Sequence, residues 1–226
     1  MQERRHKQNL SEKKPPKDVF VVPEAYWDDL KKRDHDKLCE DSLARQHAPG
    51  GLLVRFLEED VRVDMESRCI RRSEEGQWEK INHSLLELII LVYLLNASSH
   101  SLSNEMISVS DLKTAHFFQG PHELKKAPLL ERYGYDLEGF KLVAEKLGGE
   151  PMDLADAAYR FFPLPKIPLY YLLWEGDDEF GPHLSILFDR SIERHLSADA
   201  IWGLVNLISS ALKNGRGLFS ENIRTV

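Results

Sequence analysis

Residues 172–189 read LLWEGDDEFGPHLSILFD. Two apolar runs flank a knot of acids in which Glu175, Asp177, Asp178 and Glu179 fall within five positions. The runs have strand length, and Gly176, Gly181 and Pro182 between them are turn formers, so the stretch predicts an antiparallel hairpin. Its register follows from gathering the apolar side chains on one face. Trp174 then lies opposite Leu184, Leu172 opposite Ile186 and Tyr170 opposite Phe188, an arrangement that a one-residue slip would destroy. The same register sets Glu175 opposite His183 at the mouth of the loop.

Working outward, AYRFFPLP and IPLYYLLWE, from Ala157 on, extend the strand pattern upstream. Downstream, Ser197 is a good N-cap with Asp199 in the first turn. Ile201, Leu204, Val205, Ile208 and Leu212 give that helix one apolar face, and Gly215 stops it. Asp136 starts a helix with Leu137, Phe140, Ala144 and Leu147 on one side, ended by Gly148-Gly149. Another helix is expected from Pro121 to about Arg132, and MISVS at 106–110 reads as a short strand before a short helix from Asp111. Residues 85–95, LLELIILVYLL, predict a buried helix that opens on a Ser84-x-x-Glu87 capping box and runs to about Ala97. Before it, GLLVRFLEEDVRVDMESRCIRR reads as a strand, a turn around Glu58–Asp60 and one or two further strands. Residues from Pro23 to about Gln46 read as one mostly polar helix with Trp27, Leu30, Leu38 and Leu43 as its apolar stripe, ended by Pro49-Gly50-Gly51. The fold class expected is α+β, with antiparallel hairpins in two blocks packed with a central apolar helix and several flanking helices.

A chain of 226 residues fits one large domain. The partition expected is a disordered basic tail at 1–17, a single domain at 18–214 and a C-terminal tail at 215–226. The net charge of −7 is uneven, because the tail holds six Lys/Arg against two Glu and leaves −11 for the remainder. An acidic body repels a phosphate backbone, so nucleic acid is not an expected partner of the folded part. The run at 85–95 is too short to cross a bilayer and contains Glu87, so no membrane association is expected. Cys39 and Cys69 match no metal-ligand or disulfide spacing, which suits a reducing cytoplasm.

The run FPLPKIPLYYLLWEGDDEFGPHLSILFDRSIERHLSADAIW at 162–202 resembles the signature of a prokaryotic domain-of-unknown-function family, the one numbered 3786. The matching positions are Pro163, Leu164, Pro165 and Pro168, then Trp174, Glu175, Gly176, Asp177, Glu179, Phe180 and Pro182, then Leu187, Phe188, Asp189 and Leu196. Asp178 stands where Glu is common, and Gly181 is inserted before Pro182. The likeness extends over about 50–212. It implies a protein of anaerobic bacteria or archaea, associated with corrinoid or iron–sulfur systems. Two cysteines cannot hold a four-cysteine cluster, so that link would run through a partner protein or a tetrapyrrole-type ligand.

The acidic knot invites a metal. An EF-hand loop starting at Glu175 would need Gly at its sixth position and Glu at its twelfth, and finds Phe180 and Ile186. No H-E-x-x-H or C-x-x-C occurs. On one straight strand His183 and Asp189 lie roughly 20 Å apart and cannot share a site. What stays open is a hard-cation or proton-transfer site of Glu175, Asp177, Glu179 and His183, against acids that merely solvate a loop. His116 and His122, flanking FFQGP, form a second candidate ligand pair against two solvated loop histidines. Each cysteine reads as a packed side chain. The expected function is that of an accessory or ligand-binding protein. The alternatives are a hydrolase-like metal enzyme built on the acidic loop, with Asp189 as a further candidate, and a protein–protein adaptor. Cofactor and oligomeric state stay open.

Overall fold

Two five-stranded antiparallel sheets and six α-helices make up the computed structural model, which describes residues 22–48 and 50–215. The basic tail, Pro49 and residues 216–226 lie outside the described residues. The α+β expectation holds, and the hairpins do form two blocks.

The N-terminal region departs from the single helix expected. It divides into α1 (Glu24–Lys31), α2 (His35–Ser42) and β1 (Arg45–His47). Asp34 makes the break, because its Oδ1 accepts from Asp36 N and Lys37 N and so caps a new helix. Leu43 ends α2 in the left-handed region (φ 58°). Trp27, Leu30 and Leu38 are buried as the stripe predicts, whereas Leu43 is exposed.

The first sheet is a meander of β1, β2 (Gly51–Phe56), β3 (Glu59–Asp64), β4 (Cys69–Glu74) and β5 (Gln77–Lys80). The polar fifth strand was not anticipated. Leu52, Val54, Phe56, Val61, Val63 and Ile70 turn inward, alternating along β2 and β3 with Leu53, Arg55, Asp60, Arg62 and Asp64. Helix α3 (Ser84–Leu95) lies in the core, with Ile89 to Leu94 all buried. The expected capping box is replaced by His83, whose Nδ1 accepts from Leu86 N at 3.2 Å.

A 3-10 turn replaces the start of the helix expected from Pro121, and α4 occupies only Ala127–Tyr133. Next come α5 (Leu137–Lys146), capped by Asp136 as predicted, and the short unanticipated β7 (Glu150–Met152). The second sheet orders β6 (Met106–Ile107), β10 (His183–Asp189), β9 (Ile167–Trp174), β8 (Ala157–Leu164) and β7. Helix α6 (Ala198–Asn214) packs over the core. Tyr171 Oη reaches Ser209 Oγ at 3.0 Å, and Tyr133 Oη donates to Leu212 O at 2.8 Å. Gly203 permits the close crossing of α3 and α6, since a Cβ there would lie 2.7 Å from Leu85 Cδ1. Leu57 N donates to Pro163 O and joins the two sheets.

The hairpin forms one residue out of the expected register. His183 pairs with Trp174, Leu184 with Leu173, Ile186 with Tyr171 and Phe188 with Leu169. The inward side of β10 is as predicted, but β9 presents Leu169, Tyr171 and Leu173 to it. Every residue of β9 except Trp174 is buried. Apolar on both faces, β9 cannot choose its parity from its own pattern.

Candidate interaction face

The outward side of the second sheet is built from what the register leaves over. Ala158, Tyr170 and Leu172 form a second apolar cluster, with Met152, Ala155, Trp174 and Leu187 packed around it. Among the described residues no helix contributes to this cluster. Tyr170 and Leu172 are covered by their neighbours, while Trp174, Leu187, Phe162 and Met152 remain half-buried. Phe162 carries Arg160 over its ring at 5.1 Å, and Arg160 pairs with Glu150. Large exposed apolar side chains concentrate here. Met106 lies in this sheet, Leu154 in its β7–β8 turn, Phe180 in its hairpin loop, and Tyr135 against Gly176 of that loop.

One end of the face is acidic. Asp153 and Asp156 lie in the β7–β8 turn, and Glu175, Asp177, Asp178 and Glu179 in the hairpin loop. The loop is a stiff display. Asp177 Oδ1 accepts from Glu179 N at 2.8 Å and Phe180 N at 2.6 Å, while Asp177 N donates to Phe180 O. Those two backbone donors hold the Asp177 carboxyl below its ordinary range. Gly176 N donates to Gly134 O, and Pro182 packs on Gly134. A Cβ at Gly134 would lie 2.5 Å from Pro182 Cγ. Gly134→Val is therefore expected to cost about 1–3 kcal/mol by overpacking. Thermal denaturation checks this, and a melting temperature equal to the parent's would contradict the packing described.

The four residues expected to share a metal are distributed along this rim. Glu175 does not face His183: its backbone N donates to Asp156 Oδ2, and its side chain is exposed. His183 lies against Trp174, ring centroids 5.5 Å apart, with Nε2 3.1 Å from Ser185 Oγ. Asp177 is engaged by its own loop. Among the described residues no three His, Cys, Asp or Glu side chains converge as a metal site.

Asp189 serves a structural purpose. Its Oδ1 accepts from the N and Oγ of both Ser103 and Ser191, and its Oδ2 accepts from Asn104 N. Burial alone raises this carboxyl, but the bonds from Ser191 and Ser103 outweigh it and hold the group ionised below the usual range. Glu193 clamps the next loop in the same way, accepting from Lys113 N, Thr114 N and Thr114 Oγ1. His122 stacks on Phe117 at 4.4 Å and meets Trp202 edge-on. Burial pushes both cysteine thiols up, away from reactive thiolate.

Sequence reasoning missed His195. Its residue is fully buried, and neither ring nitrogen has a hydrogen-bond partner among the described residues. Tyr93 lies 6.4 Å away, ring to ring. Burial first, then the positive charges of Lys166, His100 and Arg194, lower its pKa to about 4. Only its place before Leu196 in the family-like run hinted at it.

No helix among the described residues is long and apolar enough to cross a membrane. No curated protein and no solved structure matches the chain. A family model described as "Domain of unknown function (DUF3786)" matches residues 34–211. That span includes all ten strands and the apolar helix between the sheets, and the chain belongs to this family.

Proposed function

We propose that the protein is a cytoplasmic accessory protein that binds a partner protein across the outward face of its second sheet. The observation that supports this reading is the two-sided apolar character of β9. One side meets the helices, and the other gathers Tyr170, Leu172 and Trp174 into a separate cluster to which no helix among the described residues contributes. Aromatic anchors with a polar rim are the usual anatomy of a recognition surface. The acidic end favours a partner segment in which Lys or Arg flanks apolar anchors.

The test compares the parent chain with Trp174→Glu and Phe180→Asp as baits for proteins from the source cells. The same partner should be recovered by the parent, released as salt rises, and reduced at least about tenfold by either substitution, a loss of about 1.4 kcal/mol. Phe180→Asp should melt with the parent, because that side chain is exposed, whereas Trp174→Glu gives up packing on the cluster and should melt lower while staying folded. Equal recovery by parent and variants would remove the reading. A concentration-dependent dimer that both substitutions abolish would instead make the partner a second copy of the chain.

A further inference from the structure

The first sheet segregates its charges. Leu53, Arg62, Arg71 and Lys80 form one cross-strand row from β2 to β5, on the face turned away from the core. Arg45 and Arg55 share that face; Asp60 and Asp64 oppose these five cations from within it, and Glu58 of the β2–β3 turn pairs with Arg55 at 3.0 Å. Glu66 and Glu75 sit in the other turns, and Glu59, Glu74 and Glu79 lie on the opposite face of the strands. A protein of net charge −7 thus carries a locally positive sheet face.

That face is also concave. Trp78 of the last strand meets His47 of the first, ring centroids 5.3 Å apart. In a flat five-stranded sheet those strands would be roughly 19 Å apart, so the sheet must curl strongly toward this side. The Arg62 guanidinium lies 6.0 Å from the Trp78 ring centre. Asp64 ties the floor together: Arg71 Nε donates to its Oδ2 at 3.3 Å, and Arg62 lies 3.9 Å away. Trp78 is half-buried and Lys80 exposed. The result is a short hollow with cations on its floor and an indole on its rim.

We infer that this hollow binds a mononucleotide, its base stacked on Trp78 and its phosphates held by Arg71 and Lys80. Guanidinium groups match phosphate oxygens in geometry as well as charge, and an indole face takes any base. A single nucleotide fits better than a nucleic acid strand. The hollow is one short sheet wide, and the chain beyond residue 17 carries −11, which repels an extended phosphate backbone.

Titration calorimetry of the full chain with ADP, inorganic phosphate and a short single-stranded oligonucleotide tests this. ADP should bind, and more weakly as salt rises. Lys80→Glu, at an exposed position that leaves the fold intact, should weaken ADP at least about tenfold. Trp78→Leu should weaken ADP but leave phosphate binding unchanged. Arg71→Lys keeps the charge beside Asp64 but loses the guanidinium fork, and should weaken ADP by less than Lys80→Glu does. Failure of ADP to bind would overturn the inference, as would ADP binding that Lys80→Glu leaves untouched. Phosphate binding as tightly as ADP would overturn the stacking role of Trp78. An oligonucleotide that binds when ADP does not would overturn the mononucleotide assignment.

Discussion

Asp189→Ala is expected to lower stability by about 3–4 kcal/mol, in the range for losing one partner of a buried charged network. The residue is 1% exposed, and its carboxylate answers three backbone N–H groups and two hydroxyls. Alanine leaves those donors with no acceptor there, and it unties the loop at Ser103–Asn104 from the end of β10. For a domain of this size the melting temperature should fall roughly 8–15 °C. Ser103→Ala and Ser191→Ala each remove one hydroxyl bond and keep the backbone bonds, so each should cost only about 1 kcal/mol. A drop no larger for Asp189→Ala than for either serine variant would refute the clamp. The result also bears on chemistry. A carboxylate held ionised by five donors is poorly suited to shuttle protons, so the Asp of the family-like L-F-D run is explained by architecture.

The sequence was most informative where a pattern had one reading. Helix α5 runs between Asp136 and the glycines that were expected to bound it, and α6 ends at a left-handed Gly215 (φ 64°). In both, a cap and a single apolar face point to the same answer. The hairpin register was misread because β9 satisfies either parity; in the fold Tyr171 turns to α6 and the loop docks on Gly134 and Tyr135. The second apolar cluster is invisible from the same cause, since a strand buried on both sides looks like a core strand. Polar β5 carries no apolar alternation at all, and its place is fixed by pairing with β4. The acidic knot shows what spacing alone leaves out. Glu175, Asp177, Glu179 and His183 suggested a ligand set; in the fold Asp177 closes its own turn, Glu175 and Glu179 are exposed on the rim, and His183 lies against Trp174. Charge averaged over the chain likewise conceals the positive face of the first sheet, because strand alternation puts Arg62, Arg71 and Lys80 on one side and Glu59, Glu74 and Glu79 on the other.

Acid should begin to destabilise the protein once pH falls below about 6.5, and His195 is the main reason. In the unfolded chain its imidazole takes a proton near pH 6.5, whereas in the folded chain burial and the neighbouring cations Lys166, His100 and Arg194 hold it neutral to about pH 4. The unfolded state therefore binds more protons between those limits. Stability is full above pH 6.5 and declines as pH falls toward 4, by at most about 3 kcal/mol from this group. His83, half-buried with its pKa also lowered by burial, acts in the same direction. Glu59 and Glu87 act in the opposite sense, since burial raises their carboxyls and folding takes up their protons first. Asp189 and Glu193, held low by their clamps, add their loss only at still lower pH. The contribution of His195 is isolated by difference, using urea melts of the parent and His195→Leu at a series of pH values. Leucine fills the same apolar surroundings and cannot be protonated, so the two stability curves should draw together as pH falls from 6.5. Curves that stay parallel across that range, or an imidazole resonance of His195 that titrates near 6.5 in the folded protein, would show that the ring is not held neutral by the core.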